Sequence, residues 1–155
     1  MDDEAGAPGT DAVDSAILRL LRQNARRTYG DIGAVVGLSA PAVKRRVDRL
    51  EASGVILGYT TVVDHAKLGR PLEAFTELRI SGDARVDTIS EIGIGIPEVE
   101  AVFTVAGDPD ALAWIRVRNV ADLKRVIDRL RGTGHVTGTK TLMVLNTRRN
   151  QDSDA

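Results

Sequence analysis

The chain contains no cysteine, which removes disulfides, thiol nucleophiles and cysteine-ligated zinc together. Its two histidines, His65 and His135, have neither a metal-ligand spacing nor a triad spacing around them. There is no glycine-rich phosphate loop; Gly93-Ile-Gly-Ile lacks the residues that would follow one and reads as a frayed helix end. Aromatic residues make up only 3%, so aliphatic side chains must build the core. No apolar run reaches the roughly 18 residues of a membrane span. The acidic start, MDDEAGAPGTD, lacks the basic and apolar regions of a signal peptide. These absences argue against an enzyme, a bound cofactor or metal, and a membrane partner, and make the cytoplasm the expected location.

What is present suits two small domains. The 155 residues are 43% hydrophobic and 28% charged. The net charge of -1 conceals a division along the chain. Residues 1–13 carry four acids and no base, whereas residues 14–54 carry eight Lys and Arg against four Asp and Glu. Positive charge is thus concentrated where a phosphate-contacting surface would need it.

Residues 1–10 read as a disordered tail and 148–155 as a polar one. Between 11 and 54 the apolar spacing predicts three helices. Val13, Ile17, Leu20 and Leu21 line the first, with Asp11 and Asp14 as a weak capping box. Thr28 and Asp31 open the second, whose apolar face is Ile32, Val35 and Val36 and whose end is Gly37. Ser39 caps the third, Pro41 lies in its first turn, and Val43, Val47 and Leu50 line its buried side.

From residue 55 the pattern changes. Val55–Asp64 reads as a linker strand within a 55–71 linker and loop. Residues 72–147 then read as strand 72–81, a helix with Val86, Ile89 and Ile92, strands 99–106 and 111–117, a helix with Leu123, Val126, Ile127 and Leu130, and strand 137–146. This β-α-β-β-α-β order is ferredoxin-like, so the fold class is α+β. Val99, Ala101, Phe103 and Val105 are expected on one face of their strand, Val102 and Ala106 on the other. Both helices of such a unit cover one sheet face. Apolar residues on the other face need a cover, for which a second copy of the chain is the natural candidate.

The segment 31–50 has the logic of a helix-turn-helix. Ile32, Val36, Leu38, Val43 and Val47 pack the two helices, leaving Ala42, Lys44, Arg45 and Arg49 on the opposite face of the third. Such a helix fits the major groove of double-stranded DNA, where its early residues reach base edges and arginines grip guanine or phosphate. Ser39, Ala40 and Ala42 lie at that leading end, the two alanines small enough for close approach. Arg26 and Arg27 precede the second helix and are candidates for phosphate contacts. Gly33, inside the second helix, costs about 1 kcal/mol relative to Ala, which a close crossing by the recognition helix would explain. A plain solvated basic face remains the alternative for the four cations.

These residues resemble the leucine-responsive / asparagine-regulator (Lrp/AsnC, feast/famine) family of prokaryotic regulators. The resemblance is carried by Asp11, Asp14, Ile17 and Leu18, then Gly37-Leu-Ser39, Val43, Arg46-Val47, Leu50-Glu51, Gly54-Val-Ile56 and Gly58-Tyr59. It extends over about residues 11–147. It implies dimers formed through the sheets, commonly gathered into octamers, and an amino-acid effector bound between dimers. The family's Gly-Asp-aromatic-Asp turn is Gly107-Asp108-Pro109-Asp110 here, with Pro109 replacing the aromatic. Thr137 and Thr139 match effector-contacting positions of the last strand. A carboxylate there suits an ammonium, free turn amides suit a carboxylate, and Val105 and Leu112 suit an apolar wall. The competing reading of Gly107–Asp110 is a hairpin turn and nothing more. The competing reading of the whole is an architectural protein that wraps or bends DNA without sensing an effector.

Overall fold

The computed structural model describes residues 9–82, 91, 93 and 95–147. The chain divides into two compact units between Val62 and Val63.

The first unit is three helices. α1 (Ala12–Gln23) starts at a reciprocal capping box: Asp14 N–H donates to Asp11 at 2.8 Å, and Asp11 N–H donates to Asp14 at 3.2 Å. α2 (Tyr29–Val36) has the same device in Thr28 and Asp31, and ends at Gly37, whose φ of 72° suits glycine. α3 (Ala40–Ala52) begins after Ser39, which occupies the cap position without a side-chain cap hydrogen bond. Ile17, Leu20, Leu21, Ile32, Val43 and Val47 form the core, with Val36 and Leu38 packed on it. Val35 departs from expectation, being 59% exposed. The inward stripe of α2 is buried Ile32 and Gly33 with half-buried Val36, and its midline lies roughly a third of a turn from Val35.

The linker differs from its reading as a strand. Val55 and Ile56 N–H both donate to Leu50 O, at 2.9 and 3.0 Å, and close the C-terminus of α3. Beyond them, residues 57–63 join no ladder among the described residues. A strand needs a neighbour to take its amides, and the described residues supply none. Leu57 and Val62 are left exposed.

The second unit is an antiparallel sheet of β1 (Leu72–Ile80), β2 (Val99–Thr104), β3 (Ala111–Val117) and β4 (Val136–Met143), in the order β2-β3-β1-β4. α4 (Val120–Arg131) packs on one face through Leu123, Val126 and Leu130, against Ala74 and Leu78 of β1 and Ala113, Ile115 and Val117 of β3. Thr76 is buried among them, its hydroxyl 3.0 Å from that of Thr141. The helix expected around Val86, Ile89 and Ile92 lies outside the described residues.

The face reading of β2 needs correction. The register shifts between Val99 and Ala101, so Val99 and Val102 both join the helix-covered core while Phe103 is 46% exposed. A bulge inserts one residue and breaks strict alternation.

On the other face of the sheet, Phe75 and Trp114 stack with centroids 6.2 Å apart. The Arg116 guanidinium lies 5.1 Å from the Trp114 ring centroid and 3.0 Å from Glu73, which also accepts from Trp114 Nε1 at 2.6 Å. Leu142, opposite Phe75 in the register, is 48% exposed.

Candidate DNA-binding face and effector turn

The four cations of α3 have separate fates. Lys44 is tied to Asp48 at 2.6 Å one turn along the helix, and that hydrogen bond raises its ammonium pKa. Arg46 and Arg49 converge on Asp14, which is wholly buried: Arg46 Nη1 reaches it at 2.8 Å and Arg49 Nη2 at 2.5 Å. Arg46 also bonds Asp11 at 2.7 Å, holding that carboxyl below its ordinary pKa. Arg45 is exposed, and its side chain has no hydrogen bond or ion pair among the described residues. It is the cation of α3 whose donors are all unspent. Arg49, expected on the DNA face, is instead engaged in fastening α3 to the start of α1, although its side chain stays 54% exposed.

Around α3, Ser39 and Ala40 are exposed and Ala42 is half-buried. Arg26 is exposed; Arg27 is half-buried, with its Nε lacking a partner. The tolerance of Gly33 has a different cause from the one expected. A Cβ there would collide with the carbonyl oxygen of Leu38, and Leu38 N–H donates to Gly33 O at 3.0 Å. The turn backbone presses on α2, rather than the recognition helix itself.

The second group gathers at the end of β1. Arg79 Nε lies 2.8 Å and its Nη2 3.2 Å from the two carboxylate oxygens of Asp108. The Asp108 hydrogen bond raises the pKa of that guanidinium further. Asp110 is used internally: its carboxylate accepts Ile80 N–H at 2.8 Å, and its own N–H donates to Leu78 O at 3.1 Å. Thr137 Oγ1 donates to Arg79 O at 3.2 Å. Gly107 has a φ of 127°, and Pro109 and Val105 are half-buried. Leu112 pairs with Glu77, two residues before Arg79 on the same face of β1.

Thr139 does not join this group. It pairs with Leu78 on the helix-covered face, and its hydroxyl accepts from Arg131 of α4, with Nε at 2.9 Å. The resemblance to the family placed it with Thr137, as a match to effector-contacting positions of the last strand. Sequence reasoning missed Arg79, for which the only signal was a cation at the end of a strand. It also missed the Asp14 clamp as such, because the partners lie 32 and 35 residues away.

The family model of the AsnC-type helix-turn-helix domain matches residues 11–51, and that of the Lrp/AsnC ligand binding domain matches 73–153. The chain belongs to the Lrp/AsnC family. It is 40% identical over 136 residues to the HTH-type transcriptional regulator Rv2324 of Mycobacterium tuberculosis, covering 88% of this chain and 92% of that one. It is 33% identical to the leucine-responsive regulatory protein of Rhizobium meliloti, over 87% of this chain and 88% of the relative. Among solved structures, the Mycobacterium tuberculosis leucine response regulatory protein LrpA superposes with a TM-score of 0.78 at 30% identity, covering 92% of this chain and 97% of that one. The AsnC family regulator of Agrobacterium tumefaciens, at 23% identity and a TM-score of 0.84, covers 90% of this chain and 93% of its own and supports the fold. This Lrp/AsnC-family chain is therefore a transcriptional regulator with a helix-turn-helix and a ligand-binding domain, and the α+β, ferredoxin-like fold class read from periodicity is borne out. Its relatives are regulators, not enzymes. No helix among the described residues is long and apolar enough to cross a membrane.

Proposed function

We propose that the protein is a sequence-specific DNA-binding regulator of the cytoplasm, oligomeric, whose DNA affinity is set by an amino acid. The observation that carries the DNA reading is the exposed leading half of α3, where the side chain of Arg45 has no partner among the described residues and follows small Ala40 and Ala42. Ser39 and Arg26 complete that surface. Two such helices in a dimer read half-sites about one helical turn, or a multiple of it, apart. The face bearing Phe75, Trp114, Phe103 and Leu142 is the dimer surface in this reading, and dimers gather into octamers. The effector sits at Gly107–Asp110, its ammonium on Asp108, near Val105, Leu112 and Thr137. Thr139 belongs to the site only through a second chain, given its attachment to Arg131. Coupling between effector and DNA is expected at about 1–3 kcal/mol.

Arg45→Ala is expected to cost about 1–3 kcal/mol on the preferred duplex and to narrow the gap to a scrambled one. Fluorescence anisotropy on both duplexes measures this, and size-exclusion chromatography should show unchanged assembly. A uniform loss on both, with a shallower salt dependence, would reassign Arg45 to a phosphate. The effector arm is tested by melting the protein with each of the twenty amino acids, since a ligand of the folded state raises the melting temperature. One or a few are expected to do so in the wild type, and to do so less with Asp108→Asn. No shift with any amino acid, together with binding to all duplexes alike, would favour a DNA-wrapping architectural protein.

A further inference from the structure

The Arg79–Asp108 pair is the cluster that the functional reading leaves unexplained. If Asp108 is the ammonium partner, it is already occupied by a guanidinium, so an effector has to displace Arg79 or share the site with it. Both side chains are solvent-accessible, 43% for Arg79 and 70% for Asp108, and an exposed ion pair is held weakly. Asp110 offers no such freedom, because its carboxylate carries the Ile80 amide. Of the two turn carboxylates, Asp108 is the exchangeable one.

Arg79 is also built to stay at the site when the pair opens. Its carbonyl accepts from the Thr137 hydroxyl, and its stem runs alongside Gly138, at a distance where an added Cβ would be in ordinary van der Waals contact with it. A planar guanidinium released there presents paired N–H donors, the geometry that a carboxylate accepts. A zwitterion entering the pair replaces one salt link by two, with no charge left alone.

We propose that Arg79 is the specificity-determining residue of the effector turn: the Arg79–Asp108 pair opens around an α-amino acid, Arg79 taking the α-carboxylate and Asp108 the α-ammonium. This rests on the effector site being at Gly107–Asp110, and replaces the turn amides by Arg79 as the carboxylate's partner. The ligand class is accordingly the free α-amino acid, with simple amines and peptide-linked residues excluded.

The test uses the amino acid that most raises the melting temperature of the full-length protein, with its α-amide and its N-acetyl derivative, titrated by calorimetry. In the wild type each derivative is expected to bind about tenfold to a hundredfold more weakly than the free amino acid, the loss of one charged hydrogen-bonded partner. Arg79→Met keeps the stem and removes the charge. It should bind the amino acid and its α-amide about equally, while still rejecting the N-acetyl form. Asp108→Asn should show the reverse pattern. Equal wild-type affinity for the acid and its amide would overturn the role of Arg79 without any variant having to fold. So would an Arg79→Met protein of native circular dichroism that discriminates as the wild type does. A wild type that binds no amino acid defeats the effector reading itself, and this proposal with it. An amino acid that binds equally well to Asp108→Asn and Arg79→Met as to wild type defeats the placement at this turn.

Discussion

Asp14→Ala is expected to destabilise the helical unit by about 2–4 kcal/mol and to lower DNA affinity with it. The carboxylate is completely buried yet serves three donors: the Asp11 amide, Arg46 and Arg49. Loss of a capping side chain costs about 1 kcal/mol. Breaking a buried ion pair costs about 3–5 kcal/mol when the remaining charge stays in the interior. Here the orphaned arginines can turn to water, since Arg49 is 54% and Arg46 27% exposed, which puts the total below the sum. Hydrogen exchange of the α1–α3 amides measures the effect separately from the second unit. Asp14→Asn, which keeps an acceptor for the cap, should fall between the wild type and Asp14→Ala. A loss near 1 kcal/mol in both would mean that the arginines contribute nothing beyond the cap.

Gly33→Ala should destabilise the same unit by about 1–3 kcal/mol, opposite in sign to the general rule. In an open helix interior the change gains about 1 kcal/mol. Here the added carbon would be driven into the Leu38 carbonyl, a backbone atom fixed by the Leu38 N–H to Gly33 O bond on one side and by the start of α3 on the other. Relief of the clash has to move the turn, and the turn aims α3. Denaturant unfolding with and without duplex DNA tests this. The variant should lose both stability and DNA affinity. A Gly33→Ala protein as stable as the wild type, or more so, would show that the turn yields freely.

Much of this was legible in the linear order of residues, for identifiable reasons. Helix spacing of Ile17, Leu20 and Leu21, and of Val43, Val47 and Leu50, reports burial directly, because one side of a helix must leave water. Alternation in Ala111–Val117 separates Leu112 and Trp114 from Ala111, Ala113, Ile115 and Val117, and the structure buries the second set. The same rule failed in Val99–Thr104, where a bulge inserts a residue that no composition signal announces. The strand reading failed again in the linker, where the β-formers of Val55–Asp64 mark a segment able to form a strand but say nothing of whether a neighbour is present.

The sequence by itself determined the helices of the described residues, the strands of the sheet in chain order, the concentration of basic residues on the helix-turn-helix and the family. Each depends on local spacing or on short motifs, which are written in the chain. Tertiary structure alone decided which charges are free. Arg45, Arg46 and Arg49 look alike in the sequence, yet Asp14 ties the last two, and the side chain of Arg45 has no partner among the described residues. The turn shows the same division: Asp108 and Asp110 are equivalent as letters, but one meets Arg79 and the other an amide of β1. A side chain's availability depends on partners about 30 residues away, brought near by packing, and no local pattern encodes that distance.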